Sequence, residues 1–169
     1  EPDFVTPWHI RERAISAIEH GATHYTSNLG LAELRRSICA YIKQSYPGLS
    51  YNWRSEVMVT VGVSEALDGV MRAIIEPGDE IIYHEPCFVA YPAVIKLAGG
   101  TPVAVPTYAR DNFRLTREAL EAAVTPKTKA LLINFPCNPT GAVIDEDDAK
   151  MIADFVQEHD ILLISDEVY

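Results

Sequence analysis

Short apolar runs that alternate with segments of helical period limit what this chain can fold into. Val57 to Val61, Glu80 to Tyr83, Thr101 to Val105, Lys129 to Asn134 and Ile161 to Ser165 read as strands. The first interval holds a helix over Ser64 to Ile75, with Ala66, Leu67, Val70, Met71 and Ile74 apolar. Further helices are expected over about Phe88 to Leu97, from a Thr116 cap to about Val124, and from an Asp145 cap to about His159. Apolar strands separated by helices predict an α/β fold of three α-β-α layers, with a mostly parallel sheet and right-handed crossovers. Two helices precede the alternation. One runs from Trp8 to Glu19 behind a Thr6 cap and Pro7; the other runs from Gly30 to about Tyr46 with Leu31, Leu34, Ile38 and Ile42 on one stripe.

With 169 residues the chain can bury a core of its own without disulfides or metal. Its 14 Lys and Arg stand against 24 Asp and Glu, a net charge of −10 that disfavours nucleic acid and anionic membrane surfaces as partners. Cys39, Cys87 and Cys137 are odd in number and widely spaced, which fits small buried hydrophobes in a reducing, cytoplasmic compartment. No apolar stretch approaches the ~20 residues of a membrane span. The five histidines lack ligand spacing with a matching Cys, Asp or Glu, so no metal site is expected. The sequence opens at Glu1 without methionine and closes at Tyr169, soon after a run, Ile161-Leu162-Leu163-Ile164, that reads as a strand covered on both faces. A strand of that kind seldom ends a finished α/β domain, so the chain reads as a fragment.

In an open parallel sheet, ligands gather outside the carboxyl ends of the strands. Four segments there carry chemistry. Gly62-Val63-Ser64 leads a strand into a helix whose first-turn N–H groups and dipole can hold a phosphate, with Ser64 as a further donor; Ser64 as a plain N-cap is the alternative. Glu85-Pro86-Cys87-Phe88-Val89-Ala90-Tyr91 puts the Phe88 ring at a strand's carboxyl end, where it can either stack on a planar ligand or join the core. Asn134-Phe135-Pro136-Cys137-Asn138-Pro139-Thr140-Gly141 is a rigid loop able to hold the Asn138 amide against a ligand, or an ordinary turn. Asp166, at the end of an apolar strand, needs a cation or several donors to offset desolvation, unless it caps a following helix. A planar, phosphorylated heteroaromatic cofactor with a basic ring nitrogen would use all four.

Together these residues resemble the class I/II aminotransferases that depend on pyridoxal 5'-phosphate, of fold type I. The opening Glu1-Pro2-Asp3-Phe4, the segment from Tyr25-Thr26 through Gly30 to Leu34-Arg35, Gly62-Val63-Ser64, Pro77-Gly78-Asp79, Asn-x-Pro-x-Asn-Pro-Thr-Gly and Asp166-Glu167-Val168-Tyr169 follow the family's order. The resemblance implies an N-terminal segment 1–24 and a partial cofactor-binding large domain over 25–169. Asp166 would pair with the pyridinium nitrogen, Asn138 and Tyr169 would donate to O3′, and Phe88 would stack on the ring in place of the family's usual Tyr or Trp. Backbone N–H groups of Val63 and Ser64, with the Ser64 hydroxyl, would hold the phosphate. Tyr25 would reach the phosphate of a neighbouring subunit in a homodimer, and Asn138-Pro139 is a candidate cis bond.

The family's Schiff-base lysine and carboxylate-binding arginine lie downstream of Asp-x-x-Tyr, beyond residue 169, so no catalytic residue is assigned within the chain. Lys129 opens its strand at the far edge of the sheet, Lys127 lies in the turn before it, and Lys43, Lys96 and Lys150 sit on helices. The implied function is amino-group transfer between an amino acid and a 2-oxo acid. Two rivals share the cofactor contacts or the fold: a β-eliminating carbon–sulfur lyase, and an aminotransferase-like sensor domain of a transcription regulator.

Overall fold

A computed structural model describes residues 3–169, so Glu1 and Pro2 of the opening Glu1-Pro2-Asp3-Phe4 segment lie outside the described residues. The chain divides after Thr60 into two compact units.

The N-terminal unit carries α1 (Trp8–Glu19) and α2 (Ala32–Ser45). Pro7, not Thr6, occupies the N-cap of α1, one residue later than expected. Gly30 stays outside α2 because its φ of 89° is left-handed. The expected α2 stripe is half open, with Leu31 and Leu34 exposed, and the buried side chain on that helix is Arg35. Its guanidinium donates from Nε to the Gly30 carbonyl at 3.2 Å and from Nη1 to the Trp53 carbonyl at 2.8 Å. A buried charge is thereby matched to two loop carbonyls, and the loops on either side of α2 are tied together.

The second unit, Val61–Tyr169, holds α3 (Gly62–Ile74), β1 (Glu80–Glu85), α4 (Tyr91–Leu97), β2 (Thr101–Pro106), α5 (Arg117–Ala123), β3 (Thr128–Asn134), α6 (Glu146–Glu158) and β4 (Leu162–Asp166). The four strands are parallel in the order β2-β1-β3-β4. Side chains alternate across the sheet as strand geometry requires. Ile82, Val105, Leu131 and Ile133 pack on one face with Leu120 of α5 and Ile152 and Phe155 of α6. Ile81, Tyr83, Ala130 and Leu132 pack on the other with Leu67 and Met71 of α3 and Tyr91 and Ile95 of α4. The three-layer α-β-α expectation therefore holds. Each fully buried aliphatic side chain is worth roughly 1.5–3 kcal/mol, whereas an exposed ion pair such as Arg72 with Asp68 is screened by water and salt. The two apolar layers, not surface charge, hold the sheet.

Two strand expectations need correction. Val57–Val61 is not a strand among the described residues: a run of β-prone residues becomes a strand only with a ladder partner, and here the Val59 N–H bonds the Leu29 carbonyl at 3.0 Å instead. Val61 serves as the N-cap of α3, so that helix starts at Gly62, two residues before Ser64. Among the described residues the last strand pairs with β3 alone, and as a sheet edge it leaves Leu162 48% and Leu163 43% exposed rather than covered on both faces.

Candidate functional site

The polar residues that the sequence singles out in the second unit converge because the strands bring their ends level. In the β3–β4 register Asn134 lies beside Asp166, each the last residue of its strand, and both are buried. The Asn134 side chain acts as a clip. Its Nδ2 donates to the Asp166 carbonyl at 2.8 Å, and its Oδ1 accepts from the Asn138 N–H at 2.9 Å. One amide thus fixes both the end of β4 and the loop after β3. That loop is braced internally by the Cys137 N–H on the Ala142 carbonyl at 2.9 Å and the Gly141 N–H on the Cys137 carbonyl at 2.7 Å. Asn138-Pro139 is cis, as expected, and so are Glu85-Pro86 and Phe135-Pro136.

Asp166 does not have a cation beside it among the described residues; it meets two donors. Its Oδ2 accepts from the Tyr91 hydroxyl at 2.7 Å and its Oδ1 from the Val168 N–H at 3.3 Å. Tyr91 is fully buried. Burial, and then the hydrogen bond and charge of Asp166, push its phenol well above the ordinary tyrosine range, so it stays protonated and can act as a donor. Phe88 lies in the loop before α4, edge-on to Tyr91 with ring centroids 5.9 Å apart. Across from them α3 begins. Its first-turn N–H groups lack intrahelical acceptors, and the Glu65 carboxylate reaches back to the Val61 N–H.

Val63, Ser64, Phe88, Asn138, Asp166 and Tyr169 all line one cleft, together with Tyr91, Asn134 and Val168. Its volume of about 190 Å³ lies below the ~300–1,000 Å³ of drug-sized pockets, so it takes a ring-sized group rather than a dinucleotide. Tyr25 is fully exposed and belongs to the N-terminal unit. None of the chain's five lysines lines the cleft. Sequence reasoning missed Tyr91, Asn134 and His84. A helix expected from Phe88 makes Tyr91 an ordinary core position, whereas α4 starts at Tyr91 itself. Asn134 had a usable signal, since a polar residue closing an apolar strand faces the same desolvation cost as Asp166.

Two expected outcomes follow from these environments. Tyr91→Phe removes one of the two donors to a buried carboxylate and is expected to cost about 1–3 kcal/mol, read from the urea-unfolding midpoint. An unchanged midpoint would show that Asp166 does not depend on that hydroxyl. The second outcome concerns alkaline pH. Burial, with Glu85 nearby, pushes the Tyr83 phenol up to about 12 and the Cys87 thiol up to about 11. Both groups are neutral when protonated and hold their protons more tightly in the folded state. Their stabilisation is therefore complete below the unfolded values of 9.0 and 10.0 and is lost as pH rises toward about 12. Urea midpoints at pH 8, 10 and 11 should fall in that order, and a flat series would contradict the assignment.

Comparison with known proteins shows the family of the chain. The chain superposes along its whole length on the crystal structure of an aromatic aminotransferase from Pyrococcus horikoshii OT3, with a TM-score of 0.96 and 48% identity, covering 45% of that chain. It superposes equally completely on the aspartate aminotransferase of Thermus thermophilus with maleate, with a TM-score of 0.95 and 41% identity, covering 44%. These matches make the α/β architecture that of fold type I. The profile of the "Aminotransferase class I and II" family matches residues 1–169, and the chain belongs to that family. An aspartate aminotransferase of Pyrococcus abyssi is 47% identical over all 169 residues, and the chain spans 43% of its length. The chain is thus less than half as long as the relatives it matches.

Proposed function

We propose that the protein carrying this chain moves an amino group between an amino acid and a 2-oxo acid, with pyridoxal 5'-phosphate as cofactor. The observation that carries the reading is the shared cleft of Val63, Ser64, Phe88, Asn138, Asp166 and Tyr169. The donor set fits the cofactor group by group. Asp166 is a buried carboxylate held by neutral donors, an arrangement that leaves room for one cation and would keep a proton on the pyridine nitrogen. The Asn138 side-chain amide lines the cleft, and with the Tyr169 hydroxyl it would donate to the phenolic oxygen. Phe88 offers a ring face, and the first turn of α3 offers the N–H groups of Val63 and Ser64 and the Ser64 hydroxyl to a phosphate. When bound, the cofactor supplies a carbonyl that takes up the amino group and a ring that draws electrons from the substrate Cα. This chain's residues bind it, orient it and hold its ring proton.

The reading extends to residues 1–24 as a segment leading into a large domain opened by Tyr25, and to a cytoplasmic homodimer in which Tyr25 reaches the neighbouring subunit's phosphate. The full exposure of Tyr25 and the free state of the three cysteines support it. The test uses the full-length protein loaded with pyridoxal phosphate. An amino acid should shift the cofactor absorbance, and a 2-oxo acid added afterwards should restore it. If neither addition changes the spectrum, the reading is lost.

A further inference from the structure

His84 is buried in β1 and is not among the residues that line the cleft. It stands where two strands part. β1 and β3 are paired in register up to Tyr83 and Leu132, whereas β1 continues beside β2 to Glu85 and Pro106, and β3 continues beside β4 to Asn134 and Asp166. At the cleft end, the backbone of β1 no longer offers β3 an acceptor. The His84 ring fills the gap: its Nε2 accepts from the Asn134 N–H at 3.2 Å, and its face stacks on Phe135 with centroids 4.9 Å apart and planes 13° apart. The Pro86 backbone contributes to the electrostatics of the ring. With Nε2 accepting, the hydrogen-bond network places the proton on Nδ1. Burial lowers the affinity of the ring for a second proton.

The consequence reaches the cleft through Asn134. The residue whose N–H is held by His84 is the one whose side chain clips the Asp166 carbonyl and the Asn138 N–H. Pro86, on the other side of the ring, leads through Cys87 to Phe88, and its carbonyl also accepts from the Cys137 thiol at 3.6 Å. One imidazole therefore holds the root of the loop after β3 from within the strand that leads to Phe88. We propose that His84 is a positioning residue of the cofactor site: reaching from β1 to β3, it fixes Asn134 and, through it, the backbones of Asn138 and Asp166 that carry the site's side chains. This rests on the cofactor reading above and adds to it a residue that touches neither cofactor nor substrate. A ring nitrogen is required at that place, not only apolar volume, because an apolar replacement leaves the buried Asn134 N–H unpaired.

The test compares His84→Phe, which keeps the ring and its stacking but deletes the acceptor, with His84→Gln, which keeps an acceptor and loses the ring. In the full-length protein, pyridoxal phosphate affinity is measured by absorbance titration, and hydrogen exchange of the Asn134 and Asn138 amides is measured without cofactor. H84F is expected to weaken binding at least tenfold and to speed exchange at both amides at least tenfold, and H84Q to return both to within about threefold of wild type. A structural role alone would lower both variants in proportion to their melting temperatures and leave no rescue; that pattern overturns the proposal. If H84F does not fold, the wild-type protein labelled with ¹⁵N-histidine decides. A His84 Nε2 without a proton across pH 6–8 supports the proposal, and a protonated or titrating Nε2 overturns it. Wild-type protein that binds no pyridoxal phosphate overturns the cofactor reading and the role of His84 with it, whereas wild-type binding matched by H84F overturns only the role of His84.

Discussion

Asp166→Asn in the full-length protein is expected to weaken pyridoxal phosphate binding about 100-fold while leaving the cofactor-free fold as stable as before, or more so. The two effects have opposite signs because they draw on the same carboxylate. Without cofactor, Asp166 is buried with the Tyr91 hydroxyl and the Val168 N–H as its donors, and no cation offsets its desolvation among the described residues. Asparagine is nearly the same size, keeps a carbonyl oxygen for Tyr91 and removes the buried charge, giving up only the longer bond, at 3.3 Å, from the Val168 N–H. With cofactor, the proposed role of that charge is to hold a proton on the ring nitrogen, and a hydrogen bond to a charged group is worth about 1.5–3 kcal/mol, or one to two orders of magnitude in affinity. Equilibrium binding by absorbance and urea unfolding of the cofactor-free protein read the two terms separately. Equal affinity in the variant would remove Asp166 from the site. A large loss of cofactor-free stability would show that Asp166 serves the fold rather than the ligand. A residue that is unfavourable for folding and favourable for binding is what a functional site looks like energetically.

How much could be read beforehand depended on whether each feature was local. The N-caps at Thr116 and Asp145 were found from sequence because a cap is a local bond: the Thr116 hydroxyl accepts from the Ala119 N–H at 3.3 Å and the Asp145 carboxylate from the Asp148 N–H at 2.8 Å. The β1 and β3 runs were legible for a similar reason, being apolar enough to need cover on both faces. Val57–Val61 failed as a strand since ladder pairing belongs to the partner as much as to the segment. The convergence of Asn138, Asp166 and Phe88 on one cleft followed from the rule that strand carboxyl ends gather ligands. Tyr91 and His84 were not legible, because what gives each its place is a single bond across the fold, from Tyr91 to a residue 75 positions away and from His84 to one 50 positions away. No period or motif encodes such a bond.

The largest loss of stability is expected from a glycine in the N-terminal unit. Gly30 combines a φ of +89° with a close neighbour: a Cβ built there would lie 2.6 Å from Val59 Cβ and 2.8 Å from Val59 Cγ2. Alanine in a left-handed conformation costs about 1–2 kcal/mol by itself, and forcing atoms into a filled space adds about 1–3 kcal/mol. Val59 cannot easily retreat, because its N–H is held by the Leu29 carbonyl at 3.0 Å. Gly30 cannot easily shift either, with its own carbonyl gripped by Arg35 Nε at 3.2 Å. Gly30→Ala is therefore expected to destabilise by about 2–5 kcal/mol, the sum of the two terms. Gly21→Ala isolates the first term, since Gly21 has a φ of +73° and nothing within 4 Å of its would-be Cβ. It should cost about 1–2 kcal/mol and no more. Urea unfolding of the two variants side by side reads the difference. If they are equally destabilised, Val59 yields at no cost and the Leu29–Val59 bond does not pin the segment in place of the strand that Val57–Val61 fails to form.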